Sequence, residues 1–137
     1  MKQTLIQSAQ QAGRPLDVGG FQITVLAPVE QTGGYELFRI AGPGGTGPGP
    51  HHHAWDESFF VLGGTVHCGV DGVETLASAG ALIHVPGGCT HWFRFAEGAL
   101  VVIGTMSKLT LWQYFHKQPK RVLAGGSFPS VKVRTQK

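Results

Sequence analysis

Short runs of β-branched and aromatic residues alternate along this chain with glycine- and proline-rich punctuation. FQITVLAP (21–28) and YELFRIAG (35–42) have the composition of strands, separated by EQTGG. ESFFVLGGTVHCGV (57–70) reads as a strand, a Gly-Gly turn or bulge, and a second strand. Asp71-Gly72 is a hairpin signal, because both residues tolerate the positive φ of a tight turn. ALIHVP (81–86), HWFRFA (91–96) and ALVVIGT (99–105) continue the pattern. Many short strands with turn signals between them predict an all-β sandwich or barrel. Side chains alternate faces along a strand, so Phe59 and Val61 share the inward parity of Glu57. Phe60 and Leu62 take the opposite face, toward a second sheet or a second subunit. Phe93 and Phe95 share the parity of His91. One segment has a different period: SKLTLWQYFHKQP (107–119) spaces Leu109, Trp112 and Phe115 as one face of a short helix, with Ser107 as its cap and Pro119 as its stop. The closing SVKVRTQK is an edge strand or a tail.

The length, 137 residues with 42% apolar, suits a single domain. The barrel core is expected over about 20–106 and the helix and tail over 107–137. No window holds the roughly 20 apolar residues of a membrane span. MKQTLIQSAQQAG lacks the apolar stretch of a secretory signal, so a cytoplasmic protein with no membrane association is expected. Cys68 and Cys89 are expected as free, inert thiols. The net charge of +3 is uneven: residues 1–107 hold four basic side chains against eight acids, whereas residues 108–137 hold seven basic and no acid. The basic charges are scattered among apolar residues without an aromatic stacking pattern. That favours a solvated or intersubunit edge over a nucleic-acid interface.

The chemistry concentrates in GTGPGPHHHAWDESFF (45–60). If this segment is extended, His51 and His53 share a face while His52 points away. Two positions apart is a rise of about 6.6 Å, within which two imidazoles converge on one ion. Glu57 has the same parity, provided the strand runs on through Ala54–Asp56, and Asp56 then points away. His91, directly after the turn PGGCT, is a fourth donor from another strand. Three imidazoles and a carboxylate suit one divalent transition metal: Fe, Mn, Ni, Cu or Zn. His52 is a pocket-rim or outward residue, and His67 and His116 are read as surface residues. His84 either lines the cavity as a proton shuttle or lies on the outer face.

These residues resemble the cupin superfamily, in its small single-domain form similar to quercetin dioxygenases. The first cupin motif (Gly, five residues, His-x-His, three or four residues, Glu, six residues, Gly) matches Gly45, His51, His53, Glu57 and Gly64. The second (Gly, five residues, Pro-x-Gly, two residues, His, three residues, Asn) matches Gly80, Pro86, Gly88 and His91, with Phe95 in place of Asn. The resemblance covers about residues 20–105. It implies a jelly-roll β-barrel whose mouth binds one metal through His51, His53, Glu57 and His91. It also points to a dioxygenase-type reaction on a small enol, diketone or aromatic substrate, with Glu57 as ligand or base. Two other readings stay open: a non-redox isomerase or lyase acting on a sugar or sugar acid, with His84 moving the proton, and a small-molecule binding module. The outward Phe60 and Leu62 need cover, and a homodimer formed by sheet packing is expected.

Overall fold

The computed structural model describes residues 4–96 and 99–105. The helix predicted over 107–119, the closing SVKVRTQK and His116 therefore lie outside the described residues. The strands are β1 (Leu16–Val18), β2 (Phe21–Ala27), β3 (Glu36–Ala41), β4 (Glu57–Gly63), β5 (Thr65–Val70), β6 (Val73–Ser78), β7 (Leu82–Val85), β8 (His91–Phe95) and β9 (Leu100–Thr105). They form an antiparallel six-stranded sheet, ordered β1-β2-β3-β9-β4-β7, and a three-stranded sheet, ordered β6-β5-β8. This is an all-β architecture of two facing sheets.

The two sheets share one core. Ile23, Ile40, Phe59, Val61, Val101 and Ile103 come from the larger sheet, and Val66, Cys68, Phe93 and Phe95 from the smaller. Phe59 and Phe93 bridge them, with ring centroids 5.4 Å apart. The alternation expected along β4 is present: Phe59 is 1% exposed and Val61 0%, against 40% for Phe60 and 48% for Leu62. Asp71 and Gly72 turn β5 into β6 with φ of 46° and 83°.

Three elements differ from the sequence pattern. EQTGG was expected only as a connection, but a single helical turn, α1 (Val29–Thr32), forms there, opened by Pro28 and closed by left-handed Gly33. β1 is three residues long with one buried, too short for alternation to register. β6 buries only Ala77, so as an edge strand it carries no alternating signal.

The Gly/Pro run has a defined place. β8 is the edge of the smaller sheet, and residues 45–51 lie along it. Gly45 donates to the Phe95 carbonyl (2.7 Å), Phe95 to Thr46 (2.8 Å) and Phe93 to Pro48 (3.2 Å). His51 and His91 exchange a pair of backbone bonds (3.0 and 2.9 Å). Pro48 and Pro50 have no N–H to leave exposed, a composition suited to closing a sheet edge. The strap ends by placing His51 directly opposite His91.

Candidate metal centre

Four side chains meet where this strap, the loop after it and the first residues of β4 and β8 come together. The ring centroids of His51 and His91 are 4.2 Å apart, those of His53 and His91 4.9 Å, and those of His51 and His53 5.9 Å. One nitrogen from each imidazole lies within 4.8 Å of the others, close enough for the three to hold a metal ion. The Glu57 carboxylate spans two of the rings, Oε2 at 3.0 Å from His53 Nε2 and Oε1 at 3.7 Å from His91 Nε2.

The route by which these groups meet differs from the sequence expectation. No continuous strand runs from His51 to Glu57: the chain bends at Ala54–Trp55, and β4 begins only at Glu57. The bend is held by His53 Nδ1 bonded to the Trp55 carbonyl (2.8 Å) and by the Trp55 ring stacked on His53 at 4.4 Å. Glu57 therefore reaches the histidines across a loop, not by strand parity.

A single pattern orients all three imidazoles. His51 Nδ1 faces the Gly49 carbonyl (2.7 Å), His53 Nδ1 that of Trp55 (2.8 Å), and His91 Nδ1 that of Cys89 (3.0 Å). A carbonyl only accepts, so each Nδ1 carries the hydrogen and each Nε2 is left to face the common centre. Metal-binding histidines are characteristically held in this way. His91 Nε2 is buried and has no hydrogen-bond partner. Such an orphan is costly, and a cation at the centre would satisfy it.

The electrostatics agree with a cation site. Burial, aided by the neighbouring His91, lowers the pKa of His51 to about 4. Burial also pushes His91 down, against the opposing pull of Glu57. Neutral imidazole is the metal-binding form. For Glu57, burial raises the pKa, but the His53 hydrogen bond and the charges of His91, His53 and His51 outweigh it and the net is lowered.

The other candidates lie elsewhere. His84 sits on the outer face of β7, its Nδ1 2.8 Å from Ser58 Oγ, one register step from the Glu57–Val85 pair whose side chains point inward. The fold does not bring it to the cluster. His52 is exposed. His67 contacts Glu74 (3.2 Å) and meets the Trp92 ring edge-on, on the outer face of the smaller sheet. Both thiols are free. A hydrogen bond to Asp71, helped by burial, pushes the Cys89 thiol up and favours its protonated form. Phe95, where the second motif has Asn, packs edge-on against Phe93 in the core.

Sequence reasoning missed Trp55 and Glu36. Nothing in a linear pattern announces the Trp55 stack. Glu36 had a signal, its shared parity with Phe38 and Ile40, and it is 1% exposed. Through Thr105 it stands in one cross-strand row with Glu57.

Comparison with known proteins bears on the fold. The cupin domain family matches residues 38–105. No protein of curated function matches the sequence. Among solved structures, an RmlC-like cupin from Shewanella frigidimarina superposes with a TM-score of 0.67 at 22% identity, covering 79% of this chain and 96% of that one. An oxalate oxidase superposes at 0.62 and 21% identity, over 75% of this chain and 59% of the other. Pac13, a nucleoside dehydratase from Streptomyces, does so at 0.63 and 14%, over 76% and 82%. With both histidine motifs inside the matched segment and the two-sheet architecture shared with these structures, the chain belongs to the cupin superfamily.

Proposed function

We propose that His51, His53, His91 and Glu57 bind one divalent transition metal, and that the protein is a metal-dependent, dioxygenase-type enzyme acting on a small enol, diketone or aromatic substrate. The observation that carries the metal reading is the common orientation of the three imidazoles, each with Nδ1 tied to a carbonyl and Nε2 turned to one centre. A bound redox-active ion supplies Lewis acidity and the electron-transfer steps that let an enol or catechol react with O₂.

The chain's own groups have separate tasks. The backbone carbonyls of Gly49, Trp55 and Cys89 aim the imidazoles, and burial favours the neutral form of His51 and His91. Glu57 offsets cationic charge and, facing His53, can take a proton from an acidic substrate hydroxyl. Phe59, Phe93 and Ile103 form an apolar floor that keeps water from beneath the site. His84 has no part in this scheme. The similarity to an oxalate oxidase supports an oxidative reading at the level of the fold.

Elemental analysis of purified protein beside His91→Ala tests the metal. Oxygen uptake by stripped protein, reloaded with each metal in turn and offered enols, diketones and flavonols, tests the reaction. Metal uptake without oxygen consumption on any of them sinks the oxidative part.

A second, non-redox reading as a lyase or isomerase draws on the short His53–Glu57 contact, a ready proton-transfer pair, and on the likeness to a nucleoside dehydratase. Turnover that survives anaerobiosis and Zn substitution would favour it. We also propose a homodimer packed through the outer face of the larger sheet, where Phe60 and Leu82 are cross-strand neighbours and both exposed.

A further inference from the structure

Two carboxylates outside the His51–His53–Glu57–His91 cluster hold the turn that presents His91. Pro86–Thr90 is a tight turn in which each backbone N–H from 87 to 91 has a partner. Gly88 donates to the His53 carbonyl (2.7 Å), Cys89 to Pro86 (3.2 Å) and His91 to His51 (2.9 Å). The other two donate to side chains: Gly87 to Asp56 Oδ1 (2.8 Å) and Thr90 to Asp71 Oδ1 (2.9 Å). The Asp71 N–H returns a bond to the Thr90 carbonyl at 2.8 Å, making that link reciprocal. Asp56 belongs to the loop between His53 and Glu57, and Asp71 to the β5–β6 turn, so the His91 turn is gripped from two sides. Gly87 makes the first grip possible, because a Cβ there would collide with the Ala54 carbonyl.

We infer that Asp56 and Asp71 form a clamp that sets the position of His91 against His51, His53 and Glu57, and that both are positioning residues for the metal centre. The inference rests on the metal reading above. Bonds from a backbone N–H to a side-chain oxygen tie the segments that carry the two groups. Here they join three separate chain segments at the point where the two histidine motifs must register. His91 is carried directly by this turn: its Nδ1 bonds the Cys89 carbonyl inside it. Loss of either grip moves both the His91 backbone and the carbonyl that orients its ring. The clamp governs ligand geometry rather than ligand identity.

The test uses Co(II), whose visible spectrum reports ligand geometry, in the full chain. The variants are Asp56→Ala, Asp56→Asn, Asp71→Gly and Asp71→Asn. Glycine is chosen at 71 because φ there is 46°, where alanine would add strain of its own. Affinity is read by competition with a chromophoric chelator, and the melting temperature is followed in metal-stripped protein.

Asp56→Ala and Asp71→Gly are expected to weaken Co(II) binding by about 10-fold or more and to alter the visible bands. The two asparagine variants, which keep an acceptor oxygen, are expected to restore the wild-type spectrum. An Asp56→Ala protein with wild-type affinity and bands overturns the clamp alone. Asparagine variants as impaired as the truncations overturn it too, because charge and not the hydrogen bond would then be the cause. A lower melting temperature with unchanged bands assigns the aspartates to stability only and also overturns it. Failure of Asp56→Ala to fold leaves the same decision to Asp71→Gly. Wild-type protein that takes up no Co(II) overturns the metal reading itself, a result distinguishable from the others.

Discussion

His91 Nε2 is the atom on which the centre turns: buried, without a hydrogen bond, and 3.7 Å from Glu57 Oε1. Replacing His91 by alanine should reduce retained metal by about 10-fold or more in elemental analysis, with the fold kept because the turn's backbone bonds remain. His53 donates from Nδ1 to the Trp55 carbonyl, while its Nε2 stands 3.0 Å from Glu57 Oε2.

The lowered pKa values also fix a sign for stability against pH. Unfolded, His51 takes up a proton near its ordinary 6.5, whereas folded it does so only at about 4. Between those values the unfolded chain binds more protons, so stability falls as pH falls through that window and is constant above it. His91, also pushed down, adds in the same direction. Urea melts of stripped protein at about pH 7 and pH 5 should show the loss, and His51→Asn should reduce it, leaving the share due to His91. A stripped protein equally stable at both values would contradict this account of the imidazoles.

At the scale of elements, the site depends on loops that only the two sheets bring together. The strap 45–51 reaches β8, and the Pro86–Thr90 turn reaches the 53–56 loop. Gly87→Ala tests the second contact: its Cβ meets the Ala54 carbonyl, which backbone cannot evade cheaply. The expected cost is about 1–3 kcal/mol in a denaturant melt, of the size seen for overpacking, together with weaker metal binding. Much of this level was legible. The alternation of Glu57, Phe59 and Val61 against Phe60 and Leu62 gave the inward face of β4 directly, because burial on one side forces a period of two. β1 and β6 were not legible as segments, since so few of their residues are buried.

For the whole molecule, the outer face of the larger sheet carries Phe60, Leu62 and Leu82, exposed by 40%, 48% and 67%. If two copies pack through it, Phe60→Glu combined with Leu82→Glu should convert dimer to monomer in light scattering while the melting temperature of the monomer stays near its wild-type value. Wild-type protein that elutes as a monomer at micromolar concentration removes the proposal. No helix among the described residues is long and apolar enough to cross a membrane.

The order of residues by itself determined the all-β class and the inward parity of β4 and β8. It also singled out His51, His53, Glu57 and His91 as candidates, because motif spacing is a local property of the chain. It could not decide how those four groups meet. The expected straight strand from His51 to Glu57 is a bend held by Trp55, and the partner of His51 is His91, forty residues on. Nor could it decide between the two places open to His84, which the β4–β7 register puts on the outer face beside Ser58. Those outcomes depend on which strands pair and in which register, a balance of contacts distant in sequence that no local pattern encodes.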